Sequence, residues 1–273
     1  MAEPGRGSFE PGFLATDRGP LFLLTYPARD VSASRAIVVF PAFAEEMNKC
    51  RRQLALAARA FAPQGITTYI PDLTGTGDSH GDFGDASLGA WRDDLAAVLA
   101  HVAARGHSDV AWLAVRAGAL LATDALANGA PPPSQLLVWQ PVSSGKTMMS
   151  QFLRLKSMAG LGKDQRGPSV SELRKTLSAG TPVEVAGYWL HPDLVAGFDT
   201  LALKTLAGVE RLDWCAVQSD SDLPAAAASV VETLTAQGVD VRTHIVEGEP
   251  FWSTAEIALA PALTRATSEA LSR

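Results

Sequence analysis

Only two of the 273 residues are cysteine, and Cys50 and Cys215 stand far apart, one in an expected helix and one in an expected strand. That spacing offers neither a disulfide framework nor a zinc pattern, so two buried, reduced thiols are expected. Positive charge is also scarce: 23 Lys and Arg against 29 Asp and Glu leave a formal charge of -6. Nucleic acid and anionic membrane surfaces are gripped by clustered bases, and Arg51-Arg52 is the one notable basic pair, which argues against both as partners. No apolar run reaches the ~18 residues of a membrane-crossing helix, and Met1 to Glu10 has no basic segment followed by an apolar one. A cytoplasmic location is the expectation that follows. There is no EF-hand loop, and Gly75-Thr76-Gly77-Asp78-Ser79 lacks the third glycine and the Lys-Ser/Thr of a nucleotide-binding run. Neither cofactor nor metal is expected.

What is present is a long alternation of strand-like and helix-like stretches, with 47% hydrophobic residues to build one large core. Ser8 to Ala15 and Pro20 to Pro27 flank the turn-forming trio Asp17-Arg18-Gly19 and read as an opening hairpin. Arg35 to Phe40 is β-branched without alternation, the pattern of a central strand covered on both faces. Pro41 to Asn48 is then expected as a loop, leading into a helix from about Lys49 to Ala62 with Leu54, Leu56, Ala57 and Phe61 inward. Strand, loop and helix recur over 67–102, with Gly106 at the helix C′ position, and again over Asp109–Val115 and Gly118–Asn128. Gln135 to Gln140 is the next strand. From Ser143 to Gly208 the alternation stops, and helical pieces at Met148–Met158 and Val170–Leu177 suggest an inserted cap. It resumes with strands at 211–218 and 240–246, a helix over 224–237 and a last helix from about Pro261. Such alternation predicts an α/β domain with a mostly parallel sheet and right-handed crossovers. A single domain, 1–273, with residues 143–208 as its cap, is therefore expected.

The stretch Val110 to Ala122 is an apolar run, a tight small-residue turn and a second apolar run. Against G-x-S-x-G, the pattern of the nucleophile elbow in α/β-hydrolases, it supplies Ala114, Arg116 and Gly118. The turn is there and the serine is not. The acid of a Ser, Asp, His triad is available in Ser219-Asp220-Ser221-Asp222, where Asp222 is the candidate, although Asp ahead of Leu223-Pro224 equally suits a helix N-cap. The base is missing: where Gly-x-x-His-Phe would be expected, Glu247-Gly248-Glu249-Pro250-Phe251 places Pro250, which cannot exchange a proton. Of the five histidines, His80 in the Gly-rich loop and His191 in the cap are the two able to reach the mouth of the site, and for each the alternative is an ordinary surface or packing role.

Arg116 admits two readings, a turn residue pointing to solvent or a guanidinium directed into the cleft. For the second, the N–H groups of the helix beginning near Ala117 and the donors of the Pro41 to Ala44 loop would form an anion receptor around it. A buried guanidinium requires a carboxylate when no ligand is present, and Glu45 and Glu46 are nearest by loop topology. The ligand-binding candidates are Phe43, Ala44, Glu45, Glu46, Arg116, Ala117 and His80.

Three strings carry a further resemblance: Phe40-Pro41-Ala42-Phe43-Ala44-Glu45-Glu46-Met47-Asn48-Lys49, Asp72 to Phe83, and Trp139-Gln140-Pro141-Val142-Ser143-Ser144-Gly145-Lys146. The chain from Phe13 onward resembles the type 2 exosortase A system-associated hydrolases. The resemblance implies an α/β-hydrolase fold and a setting among exosortase, PEP-CTERM sorting and exopolysaccharide biosynthesis loci of Gram-negative bacteria. Arg116 and Pro250 depart from the pattern at two residues on which acyl transfer depends. Three functions are open: a binder of an anionic small molecule, a non-standard hydrolase or transferase using Glu45 or Glu46 with Arg116, and an interaction partner of an active hydrolase. For the last, Phe152, Leu153, Leu155, Met158 and Leu161 would form an exposed apolar patch, the alternative being that they are core.

Overall fold

A computed structural model describes residues 9–30, 34–159 and 167–272. Leu161 and the first eight residues lie outside them. Eight strands form one sheet: β1 (Glu10–Ala15), β2 (Pro20–Tyr26), β3 (Arg35–Phe40), β4 (Ile66–Pro71), β5 (Asp109–Val115), β6 (Leu136–Trp139), β9 (Arg211–Val217) and β10 (Asp240–Val246). Their order is β1-β2-β4-β3-β5-β6-β9-β10. The opening hairpin is antiparallel, with Phe13 opposite Phe22, and β2 joins β4 antiparallel; every other pairing is parallel.

Strand β3 is buried from Ala36 to Phe40, and its alternate residues feed two cores. Val38 and Phe40 meet Trp112 on one face, where α2 (Leu88–Ala104) and α3 (Gly118–Ala127) pack. Ile37 and Val39 meet Leu113 on the other, under α1 (Glu45–Phe61) and α8 (Pro261–Leu271). Cys50 in α1 and Cys215 in β9 are buried free thiols, as expected. Between β9 and β10 runs α7 (Ala225–Ala236).

Several boundaries differ from the sequence reading. The first helix begins at Glu45, four residues earlier than expected, because two glutamates in the opening turn suit the positive end of the helix dipole. Leu56 is exposed; the buried stripe runs Cys50, Leu54, Ala57, Ala58 and Phe61, and residue 56 lies on the far side of the helix from it. Asp222 does not cap α7, whose N-cap is Pro224 with no side-chain bond.

The insertion carries α4 (Gly145–Ala159), α5 (Val170–Ser178) and α6 (Pro192–Thr200), together with an antiparallel hairpin of β7 (Val183–Val185) and β8 (Tyr188–Leu190) that was not foreseen. Its two ends are fastened to each other by a bridge between Ser144 and Ala202, with Gly145 N donating to Leu201 O and Leu203 N to Ser143 O.

At the N-terminal edge of the sheet, the fully buried Asp213 is bonded by Gln135 at 2.7 Å, Arg211 at 2.9 Å and His244 at 2.8 Å. Arg211 and Gln135 also hold the Ala270 carbonyl, and Arg35 holds that of Leu271, so the unsatisfied end of α8 is stitched to β9, to β3 and to the residue before β6.

Candidate functional site

Arg116 occupies the turn between β5 and α3, with φ at 54°. The turn is tight because Gly118 has no side chain: a Cβ there would collide with the Phe40 carbonyl, so α3 can start directly against the end of β3. Arg116 N donates to Trp139 O, and its own carbonyl accepts from Val142 N, which locks the loops after β5 and β6 together. Four non-glycine residues among those described have positive φ, and three of them, Ala44, Arg116 and Gln140, follow β3, β5 and β6 at the same edge of the sheet. Strain of this kind persists only where the surroundings hold it, and it concentrates at functional edges.

The guanidinium is held from three sides. Its Nε lies 3.2 Å from both Glu46 oxygens and its Nη2 3.0 Å from Oε1, while Nη1 donates to the Gln140 carbonyl at 2.9 Å. Its carbon lies 4.9 Å from the centre of the Trp252 ring. The side chains remain partly open, 20% exposed for Arg116 and 29% for Glu46. An arginine has five N–H donors, so one on each terminal nitrogen has no acceptor among the described residues. The backbone N–H groups of Phe43 and Ala117, on either side of the elbow, likewise have none.

Glu45 is engaged elsewhere, accepting from the Tyr188 hydroxyl at 3.1 Å and from Asn48 at 3.4 Å. Burial and then the charge of Glu45 push Tyr188 up to about 12, so its hydroxyl stays a donor and ties the cap hairpin to α1. Burial, with Glu46 adding to it, pushes the Cys50 thiol up, which keeps it protonated behind the site. Lys49 Nζ donates to Thr254 O at 2.7 Å, pinning the loop that carries Trp252.

Above Arg116 opens a cleft of about 370 Å³ between the sheet edge and the cap. Glu45, Glu46, Lys49 and Arg116 supply its charge, and Phe43, Val142, Met148, Phe152, Leu155 and Trp252 its apolar wall. Phe43 meets the rings of Phe152 and Phe198 edge-on at 5.2 and 5.5 Å, two contacts that join the insertion to the floor. Helix α4 thus lies over the C-terminal ends of the strands, where ligands of open α/β sheets bind.

The candidates taken from the sequence divide. Phe43, Glu45, Glu46 and Arg116 line this cleft, Ala44 caps α1 at its edge, and Ala117 presents only its backbone. His80 does not line it: its ring packs on Gly19 and its Nε2 lies 3.1 Å from Thr74 Oγ1, a loop-stabilising role on the β2 side. His191 is the N-cap of α6, accepting from Asp193 N. Asp222 and Pro250 are exposed, and no histidine stands beside Arg116 among the described residues. Trp252 and Gln140 were missed. The aromatic pair Phe251-Trp252, directly after the position of the lost base, was the available signal for the first.

A model of the family described as serine aminopeptidase, S33, matches residues 32–177. No curated protein matches the chain in sequence. Among solved structures, Est1E from Butyrivibrio proteoclasticus with ferulic acid bound aligns with a TM-score of 0.67 at 15% identity, over 95% of this chain and 97% of that one. The α/β-hydrolase domain-containing protein 10 from mouse gives 0.64 at 14%, over 96% and 97%. A soluble variant of monoglyceride lipase from Saccharomyces cerevisiae gives 0.63 at 11%, over 99% and 96%. At these identities the likeness is one of fold. The chain is a member of the serine aminopeptidase S33 family and has the α/β-hydrolase fold.

Proposed function

We propose that this chain binds an anionic small molecule, a carboxylate or phosphate carrying an apolar tail, in the cleft above Arg116, without serine-type turnover. The observation that carries the reading is a guanidinium at the elbow position, oriented by Glu46 and Trp252, with one donor on each terminal nitrogen that has no acceptor among the described residues. Donors left without an acceptor at the end of a cleft favour negative charge there. The wall of Met148, Phe152 and Leu155 suits an acyl or aromatic tail, and a cavity near 370 Å³ falls in the range of small-molecule sites. The reading in which Glu46 acts as a general base is less well supported, because both its oxygens already accept from Arg116. The likeness of the Phe40–Lys49 string to exosortase-associated hydrolases supports an intermediate of exopolysaccharide assembly as the ligand class, and a cytoplasmic location.

The test pairs labelling with binding. The purified protein should take up no fluorophosphonate, and ferulate, octanoate or octyl phosphate should raise its melting temperature. Ferulate is chosen because it is the acid bound in the Est1E structure. Stoichiometric label on Ser253, the serine lining the cleft, would overturn the reading, as would absence of any shift with all three anions. Arg116→Ser with Pro250→His should yield at most weak esterase activity, since the supporting shell around the new pair has not been built.

A further inference from the structure

The cleft-facing stripe of α4 does not end at the cleft. Met148, Phe152 and Leu155 line it, and one turn further on the same face Met158 is exposed, at the edge of a hollow that it shares with Ser169 and Glu172 at the start of α5. Leu155 is 49% exposed and Met158 60%, the one such pair within a helical turn of each other among the described exposed hydrophobics. Arg154 and Lys156 flank them, and neither has a carboxylate partner among the described residues. The low overall charge conceals this distribution: the described residues of 143–208 hold six Lys or Arg against four Asp or Glu, giving +2 in a chain of -6.

We propose that the outer face of α4 docks on an anionic lipid bilayer, with Leu155 and Met158 at the boundary of headgroups and acyl chains and Arg154 and Lys156 against the headgroups. Charge complementarity selects this occupant. Basic side chains beside exposed apolar ones are the pattern of a helix lying in a membrane interface, and the acidic remainder of the chain is repelled by the same surface, which leaves the cap as the side that faces it. An apolar track then leads from the bilayer along Met158 and Leu155 to Phe152, the route that a single-chain amphiphile would take into the cleft. Trp189 is as exposed, at 54%, but stands opposite Glu184 in the cap hairpin and has no such setting.

Co-sedimentation with vesicles tests this, using phosphatidylcholine alone and an equal mixture with phosphatidylglycerol. The full chain should bind the mixed vesicles at low salt, roughly tenfold more weakly to neutral ones, and progressively less as salt is added. Met158→Glu and the pair Arg154→Glu with Lys156→Glu should each weaken binding roughly tenfold or more, while Trp189→Ala should not. None of these positions lines the cleft, so thermal stabilisation by ferulate should survive in all of them, which separates this surface from the ligand site and reports that the variants are folded. Equal binding to neutral vesicles, indifference to salt or to the substitutions, or no sedimentation at all would overturn the proposal. So would a dimer in light scattering that Met158→Glu dissociates, since a second copy would then be the occupant.

Discussion

Arg116→Ala should lower the melting temperature by several degrees and abolish stabilisation by anions in the same step. Removing the guanidinium leaves Glu46 without a partner in a site that is mostly enclosed, and it also removes the contact with Trp252. Breaking a fully buried pair costs ~3 to 5 kcal/mol; with a fifth to a third of each side chain open to water, about 2 kcal/mol is the expectation here. For a domain of this size that corresponds to roughly 5 °C. Alanine keeps the unfavourable backbone angle, so Arg116→Gly should recover about 1 kcal/mol relative to it, and the difference separates the cost of the turn from the value of the side chain. Arg116→Lys should retain part of the stability yet bind anions poorly, because an ammonium cannot face Glu46 and a ligand at once with a planar fork of donors. Differential scanning fluorimetry with and without octyl phosphate reads all three. Unchanged stability in the alanine variant would mean that the pair contributes nothing to holding the loops together.

Asp213→Ala should be more damaging still, on the order of 3 to 5 kcal/mol or about 10 °C, because it strands Arg211, Gln135 and His244 at a fully buried position. The same carboxylate sets an acid limit. Burial alone would push its pKa up, but the bonds from His244, Gln135 and Arg211 outweigh that and hold it below the usual carboxylate range. Since the folded pKa lies below the unfolded one, near ~4, its stabilisation is complete above that value and is lost as pH falls through the folded pKa. Asp72 and Asp94 act in the opposite sense. Burial, opposed by Arg51 in the first and by the Thr74 N–H in the second, raises both, so their ionised forms cost stability, and the cost disappears as pH falls through those raised values. Urea midpoints measured from neutral to strongly acidic pH should therefore decline last and steepest with Asp213 intact. In Asp213→Asn that steep acid limb should be absent, and its survival would place it on another group.

The parts of this molecule visible in the sequence are those where burial imposes a pattern. Ile37 to Phe40 and Ala111 to Val115 are apolar at every position because helices cover both faces of the sheet there. The elbow was visible because its geometry leaves no room for a side chain at Gly118. Strands β7 and β8 were missed since three residues are too few for a period to show. Glu45 and Glu46 resembled loop residues by polarity, and only their place at a helix start explains them. Trp252 meets Arg116 across about half the chain, and Gln140 contributes through a carbonyl, which every residue type possesses. Neither contact leaves a local mark.

The fastening of Ser144 to Ala202 has a bearing on how the chain folds. Strands β6 and β9 are neighbours in the sheet, yet the whole insertion runs between Trp139 and Arg211, and the entropy of closing a loop rises with the length of the wandering segment. With its ends joined, the insertion offers the sheet a short connection whatever its own size, so β9 can find β6 almost as though the intervening residues were absent. Length added inside the bridge is then nearly free for the kinetics of sheet assembly. Such a module can be enlarged, trimmed or exchanged while the strands beneath it go on pairing at the same rate.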